Sequence, residues 1–157
     1  MMVVRTAKAS DRPALQALQS LLEDRDPALL EGETDRVGLT LVSTTETDRP
    51  VGYLRALPGG NCAWIVELAV APRARREGRA TGLLEECCRR LASAHDRVRV
   101  ATRPAKEAAI DCYRSCGFER IETRTDLYDD GPALVFERRL DDRPSRHPTA
   151  ECDRGSK

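Results

Sequence analysis

Aromatic side chains are scarce in this sequence: six of 157 residues, namely Tyr53, Trp64, Tyr113, Phe118, Tyr128 and Phe136. Net charge is absent as well, because 26 basic residues offset 26 acidic ones. That balance argues against a nucleic-acid binder working by bulk positive charge and against an acidic tail protein. No apolar run approaches the ~18 residues of a membrane span. The opening stretch, MMVVRTAKASDR, lacks the long apolar segment of a signal peptide, so the expected compartment is the cytoplasm. No C-x-x-C pair occurs among Cys62, Cys87, Cys88, Cys112, Cys116 and Cys152. Adjacent cysteines are a poor start for a disulfide framework, and the six read as small buried hydrophobes. Cys112 and Cys116 could share a metal from one helix face, but no second pair of ligands accompanies them, so no metal is expected.

What is present is a regular alternation of strand and helix signals. Val3, Val4 and Thr6 form a short strand before Ser10-Asp11, which look like an N-cap with Pro13 in the first turn. Leu15, Leu18, Leu21 and Leu22 then predict one apolar helix face. Residues 24–37 are polar, a loop with room for one short helix. GLTLVSTT and VGYLRAL predict strands, and Pro58-Gly59-Gly60-Asn61 supplies hairpin chemistry. CAWIVELAVA is almost continuously apolar, as a strand buried on both faces requires. Helices follow at 78–94 and 105–116, with VRVAT between them and Gly117 ending the second. ERIETRT and ALVFERRL close the domain as strands. The order β-α-α-β-β-β-α-β-α-β-β gives an α/β fold, a mixed sheet flanked by helices in a single domain at 1–140. Residues 141–157 hold no large aliphatic or aromatic side chain and read as a disordered tail.

Two features carry chemistry. Arg73, Arg75, Arg76 and Arg79 crowd a helix start, where the helix dipole disfavours cations by about 0.3–1 kcal/mol each. A bound anion would reverse that sign, and Gly78 and Ala80 would let main chain approach it closely. Taken alone, the stretch fits a phosphate site or a solvated arginine-rich turn. The second feature is Glu67, one charge inside an apolar strand. A carboxylate there is costly unless it is paired or faces a cavity, so it is either a candidate base or a carboxylate paired with an arginine.

LAVAPRARREGRATGLL, residues 68–84, resembles motif A of the GNAT superfamily of acyl-CoA-dependent N-acyltransferases. Val70, Pro72, Arg75, Gly78 and Ala80 fit V-x-P-x-x-R-x-x-G-x-G/A in register. EAAIDCYRSCGFER, residues 107–120, is similar to motif B through Tyr113 and Gly117-Phe118. The resemblance spans about residues 2–140 and implies the GNAT fold. It implies acetyl-CoA as co-substrate, with its pyrophosphate on the backbone N–H groups of Arg75, Arg76, Glu77, Gly78, Arg79 and Ala80. It implies that Leu68, Ala69 and Val70 pair with the pantetheine arm, Val70 N–H facing the thioester carbonyl. Tyr113 is implied as the general acid, and Glu67 matches an acidic strand position that would assist the amine. Lys106 stands where the family often has an asparagine that contacts the cofactor, and could reach a phosphate instead.

The implied activity is transfer of an acetyl group to a primary amine, on a small molecule or on a peptide or protein, in a ternary complex. Homodimers are common in such proteins, and nothing in ALVFERRL decides the matter. TRTDLYDDGPALVFERRL is also somewhat similar to enzymes that acetylate protein N-termini, through Tyr128 and Asp129-Asp130-Gly131. The strand-five glutamate of the ribosomal-protein enzymes is Ala101 here, so their specific mechanism is not implied. A non-catalytic acyl-CoA sensor and a thiol or zinc regulator are the rivals from other classes. His95, at a helix end, suits the dipole, and His147 lies in the tail.

Overall fold

The computed structural model describes residues 2–22 and 38–140. The segment 24–37 and the tail 141–157, with His147 and Cys152, lie outside the described residues.

Among the described residues, seven strands and three α-helices follow the predicted order, whose second helix falls in the segment outside them. They are β1 (Val3–Thr6), α1 (Arg12–Gln19), β2 (Leu39–Thr44), β3 (Pro50–Gly59), β4 (Cys62–Val70), α2 (Arg79–Leu91), β5 (Arg97–Thr102), α3 (Glu107–Ser115), β6 (Glu119–Tyr128) and β7 (Gly131–Arg139). Short 3-10 turns at Ala9–Asp11 and Pro72–Ala74 precede α1 and follow β4. The hydrogen-bonded strand order is β1-β2-β3-β4-β5-β7-β6. β4 and β5 run parallel, whereas β1 with β2, β2 with β3, β5 with β7 and β6 with β7 are antiparallel. The chain is therefore a mixed α/β structure, as its sequence pattern predicts. It divides into two compact units, one of residues up to Leu57 with Val66–Cys87, the other of Pro58–Ile65 with residues from Cys88 on.

In the first unit, β1, β2 and β3 form a meander whose register sets Val42 opposite Tyr53 and Leu41 opposite Leu54. Leu15 and Leu18 of α1 pack with Val42, Val51, Tyr53, Ala69 and Val70. The helix is shorter than its apolar pattern predicts. Ser20 donates its hydroxyl to the Ala17 carbonyl, and Leu21 and Leu22 donate their N–H groups three residues back to Leu18 and Gln19. This tightening of the last turn rotates Leu21 into solvent, so it leaves the face assigned to it. Asp11 does not cap α1 either. Its carboxylate accepts the Lys8 N–H at 2.7 Å and the Arg5 guanidinium at 2.8 and 3.1 Å, and it is buried in doing so.

In the second unit, Cys62–Ile65 of β4 pair with Arg97–Val100 of β5, and the ladder stops there although β4 continues to Val70. Arg99 Nε and Glu137 meet at 2.8 Å across β5 and β7. Cys87, Cys88, Cys112 and Cys116 are free, and all but Cys112 are buried, in line with small hydrophobes. Cys62 is buried as well. No helix among the described residues is long and apolar enough to cross a membrane.

Candidate active site

Glu67 is buried, with only 4 % of its surface exposed. Two neutral donors hold one of its oxygens. Tyr53 donates its hydroxyl to Glu67 Oε1 at 2.7 Å, and Gln19 donates from Nε2 to the same oxygen at 2.9 Å. Burial, and then the bond to Glu67, push the Tyr53 hydroxyl well above the usual phenol range, so it stays a donor. The sequence pattern points to neither partner. The one signal for Gln19 is its place at i+4 from Leu15, on a stripe otherwise formed by Leu15, Leu18 and Leu22.

The strand leads from Glu67 into the motif A turn. Ala71 donates its N–H to the Val51 carbonyl at 2.8 Å. Because successive N–H groups of a strand alternate, Val70 and Leu68 direct theirs away from β3, while Ala69 turns toward it. Of the three residues expected to pair with a cofactor arm, Leu68 and Val70 therefore carry the outward-facing groups. Pro72 then starts the 3-10 turn and cannot continue the ladder.

Between this turn and α2 the backbone reverses twice through the left-handed region, at Arg76 (φ 66°) and Gly78 (φ 82°). Alternation of this kind gathers main-chain N–H groups into a concave, anion-shaped cradle. Gly78 accepts the first helical bond, from Gly82 N–H at 2.9 Å, and so occupies the N-cap position. A glycine there has no side chain to cap with, and the first N–H groups of a helix have no acceptor within it. These groups, on Gly78, Arg79 and Ala80, suit a pyrophosphate.

Two of the four arginines have a different reason for being there. Arg75 folds back and donates from Nε to the Val70 carbonyl at 2.9 Å. Arg79 donates to Ser43 Oγ at 3.0 Å, to the Thr44 carbonyl at 3.2 Å and to Glu77 at 2.7 Å. Their guanidinium groups brace the turn against β4 and β2. Arg73 and Arg76 are exposed, as is Arg75, while Arg79 is half-buried.

Tyr113 and Lys106 belong to the second unit. Lys106 is exposed and immediately precedes α3. Tyr113 is 6 % exposed, its ring 6.0 Å from both Phe118 and Phe136. Motif B explains its placement. Gly117 (φ 87°) lets the chain reverse, so that Phe118 N–H reaches the Tyr113 carbonyl at 3.0 Å and Gly117 N–H reaches the Arg114 carbonyl at 3.1 Å. That is a Schellman ending, with the aromatic pair Tyr113–Phe118 as its apolar contact. Burial raises the Tyr113 hydroxyl above the usual phenol range, with smaller contributions from Cys112 and Tyr128, which keeps it protonated at neutral pH.

The turn that echoes N-terminal acetyltransferases has its own structural account. Arg103 pairs with Asp130 at 2.7 Å and lies 4.3 Å over the Tyr128 ring. Among the described residues, no group of three or more His, Cys, Asp or Glu is arranged to hold a metal ion.

The model of the acetyltransferase (GNAT) family matches residues 8–118, and the chain belongs to that family. No curated protein sequence matches it. The fold is shared with the ribosomal-protein-S18-alanine N-acetyltransferase of Escherichia coli, at 20 % identity and a TM-score of 0.77, over 93 % of this chain and 98 % of that one. It is shared with Arabidopsis thaliana NAA60, solved with a bisubstrate analogue, at 14 % identity and 0.78, over 88 % and 98 %. A third likeness is to the phosphinothricin acetyltransferase of Sinorhizobium meliloti in complex with AcCoA, at 17 % and 0.75, over 88 % of each chain.

Proposed function

We propose that residues 1–140 form an N-acetyltransferase domain that moves an acetyl group from acetyl-CoA to a primary amine by direct attack in a ternary complex. The observation that carries this reading is the backbone cradle at residues 75–80, bounded by two positive φ angles and a glycine N-cap. Its N–H groups would hold the pyrophosphate, with Arg73 and Arg76 free to face the solvent-side phosphates and Lys106 within the implied cofactor set. The outward N–H groups of Leu68 and Val70 would pair with the pantetheine arm. As the amine attacks, negative charge builds on the thioester oxygen, and a preorganised donor such as Val70 N–H is worth ~2.7–4 kcal/mol there.

Glu67 would accept the amine proton. That help matters most for a lysine-like amine with pKa ~10.4, and less for an α-amino group near ~8. Tyr113 would donate to the departing thiolate, and its raised proton affinity keeps it in the donor state. The acceptor class stays with amines at large, since Tyr128 and Asp130 are engaged by Arg103.

The test is release of CoA thiol from acetyl-CoA over polyamines, amino acids, aminoglycosides and N-terminal peptides. Amine-dependent release, with a matching acetylated product, supports the proposal. Stabilisation of the protein by CoA with no release on any amine would favour a sensor domain instead.

A further inference from the structure

Two side chains from different elements converge on one oxygen of Glu67. Tyr53 reaches Oε1 from β3 and Gln19 reaches it from the end of α1, 48 residues away in sequence. All three side chains are buried, Tyr53 completely. The last torsion of a glutamate is a broad rotor when nothing holds it. Two donors on the same oxygen restrain that torsion, and with it the orientation of the carboxylate.

Packing alone does not explain the cluster. Gln19 interrupts a stripe that Leu15, Leu18 and Leu22 otherwise keep apolar, and Tyr53 sits among Val42, Val51 and Ala69. Replacing such a buried polar group with apolar residues of similar volume is often neutral or stabilising. A core built only for stability has no use for a carboxylate, an amide and a phenol in mutual contact.

We infer that Tyr53 and Gln19 are positioning residues for Glu67, fixing the orientation in which its carboxylate meets the attacking amine. This rests on the reading of Glu67 as the base. In that step the amine lone pair forms the C–N bond, its N–H proton passes to the Glu67 carboxylate, and the C–S electron pair leaves with sulfur. Tyr53 and Gln19 touch none of the reacting atoms and act through the carboxylate.

The experiment is a pair of double-mutant cycles, Tyr53→Phe and Gln19→Met, each alone and on a Glu67→Gln background. The readouts are kcat and the acetyl-CoA KM from thiol release, with the amine that turns over fastest in the wild type, or with water where no amine does. Each single variant should lower kcat on the order of 10-fold and leave KM within about twofold, because a misaimed base still binds cofactor. On the Glu67→Gln background neither should cost more than about a further twofold, since a positioning residue has nothing left to position.

Equal losses on both backgrounds would overturn the inference in favour of a structural role. So would full kcat in both single variants while Glu67→Gln loses turnover, and that result leaves the base reading standing. Full kcat in Glu67→Gln, or no thiol release by the wild type with any amine or with water, would overturn the base reading and the inference with it. Should Tyr53→Phe fail to fold, Gln19→Met, at the end of a helix, carries the same cycle.

Discussion

Replacing Gly117 with alanine isolates the turn that fixes Tyr113. Gly117 holds φ 87°, and both Schellman bonds depend on that reversal. An L-residue in the left-handed region costs ~1–2 kcal/mol, while alanine's smaller unfolded-state freedom returns ~0.4–1 kcal/mol. No steric penalty is added, because a Cβ at this position would meet only the Arg138 side chain, at 3.7 and 3.9 Å. The net loss therefore lies between ~0 and ~1.6 kcal/mol, or up to roughly 6 °C in Tm for a chain of this size. Denaturant unfolding followed by tryptophan fluorescence measures it directly. Gly117→Asn should fall between alanine and glycine, because asparagine tolerates this region better than alanine does. Gly131→Ala is the control, with no positive φ and nothing within 4 Å of its Cβ, and it should be neutral or slightly stabilising. A Gly117→Ala protein more stable than wild type, or one that loses more than ~3 kcal/mol, would refute the reasoning, since neither outcome fits a pure φ cost.

Other substitutions probe the chemistry and the ion pairs. Tyr113→Phe should lower kcat about 100-fold or more, the usual worth of a general acid, with acetyl-CoA affinity nearly intact in a titration; unchanged turnover removes Tyr113 from the mechanism. Asp11 is held below the usual carboxylate range, first by its bond from Arg5, so its stabilisation is present above the ordinary carboxylate pKa and is lost as pH falls through the lowered one. Asp11→Asn should therefore cost about 1.5–3 kcal/mol near pH 7, and in thermal melts the gap to wild type should narrow as pH falls below the ordinary carboxylate pKa; a gap that stays constant through the acid range contradicts the assignment.

The parts of this structure visible in the sequence are those where one residue type has one conformational use. Gly117 after an amphipathic run marks the end of α3, and Gly78 after Pro72 marks the reversal into α2. The unbroken apolar run of β4 announces a strand buried on both faces, and its single charge, Glu67, announces itself by contrast. The rest depends on contacts that no local pattern encodes. Gln19 and Tyr53 meet Glu67 through the sheet and α1, across 48 and 14 residues. Arg75 and Arg79 look like anion ligands by position, yet their long side chains reach back to the Val70 carbonyl and to β2. Asp11 has the composition of an N-cap but finds a stronger partner in Arg5. In each case a flexible polar side chain had several options, and tertiary placement chose among them.

The most direct test of the central claim is an acetyl-CoA titration of Gly78→Glu beside the wild type. A side chain at Gly78 would enter open space, its Cβ meeting only Met2 Cε, at 3.8 Å, so the variant should fold with no more than the φ cost of ~1–2 kcal/mol. Its carboxylate would stand where the pyrophosphate is proposed to lie. Gly78→Ala carries the same strain without the charge and should still bind. Saturable binding by the wild type, lost in Gly78→Glu and kept in Gly78→Ala, is the expected result. Binding by Gly78→Glu equal to that of the wild type would contradict the assignment of residues 75–80 as the cofactor cradle.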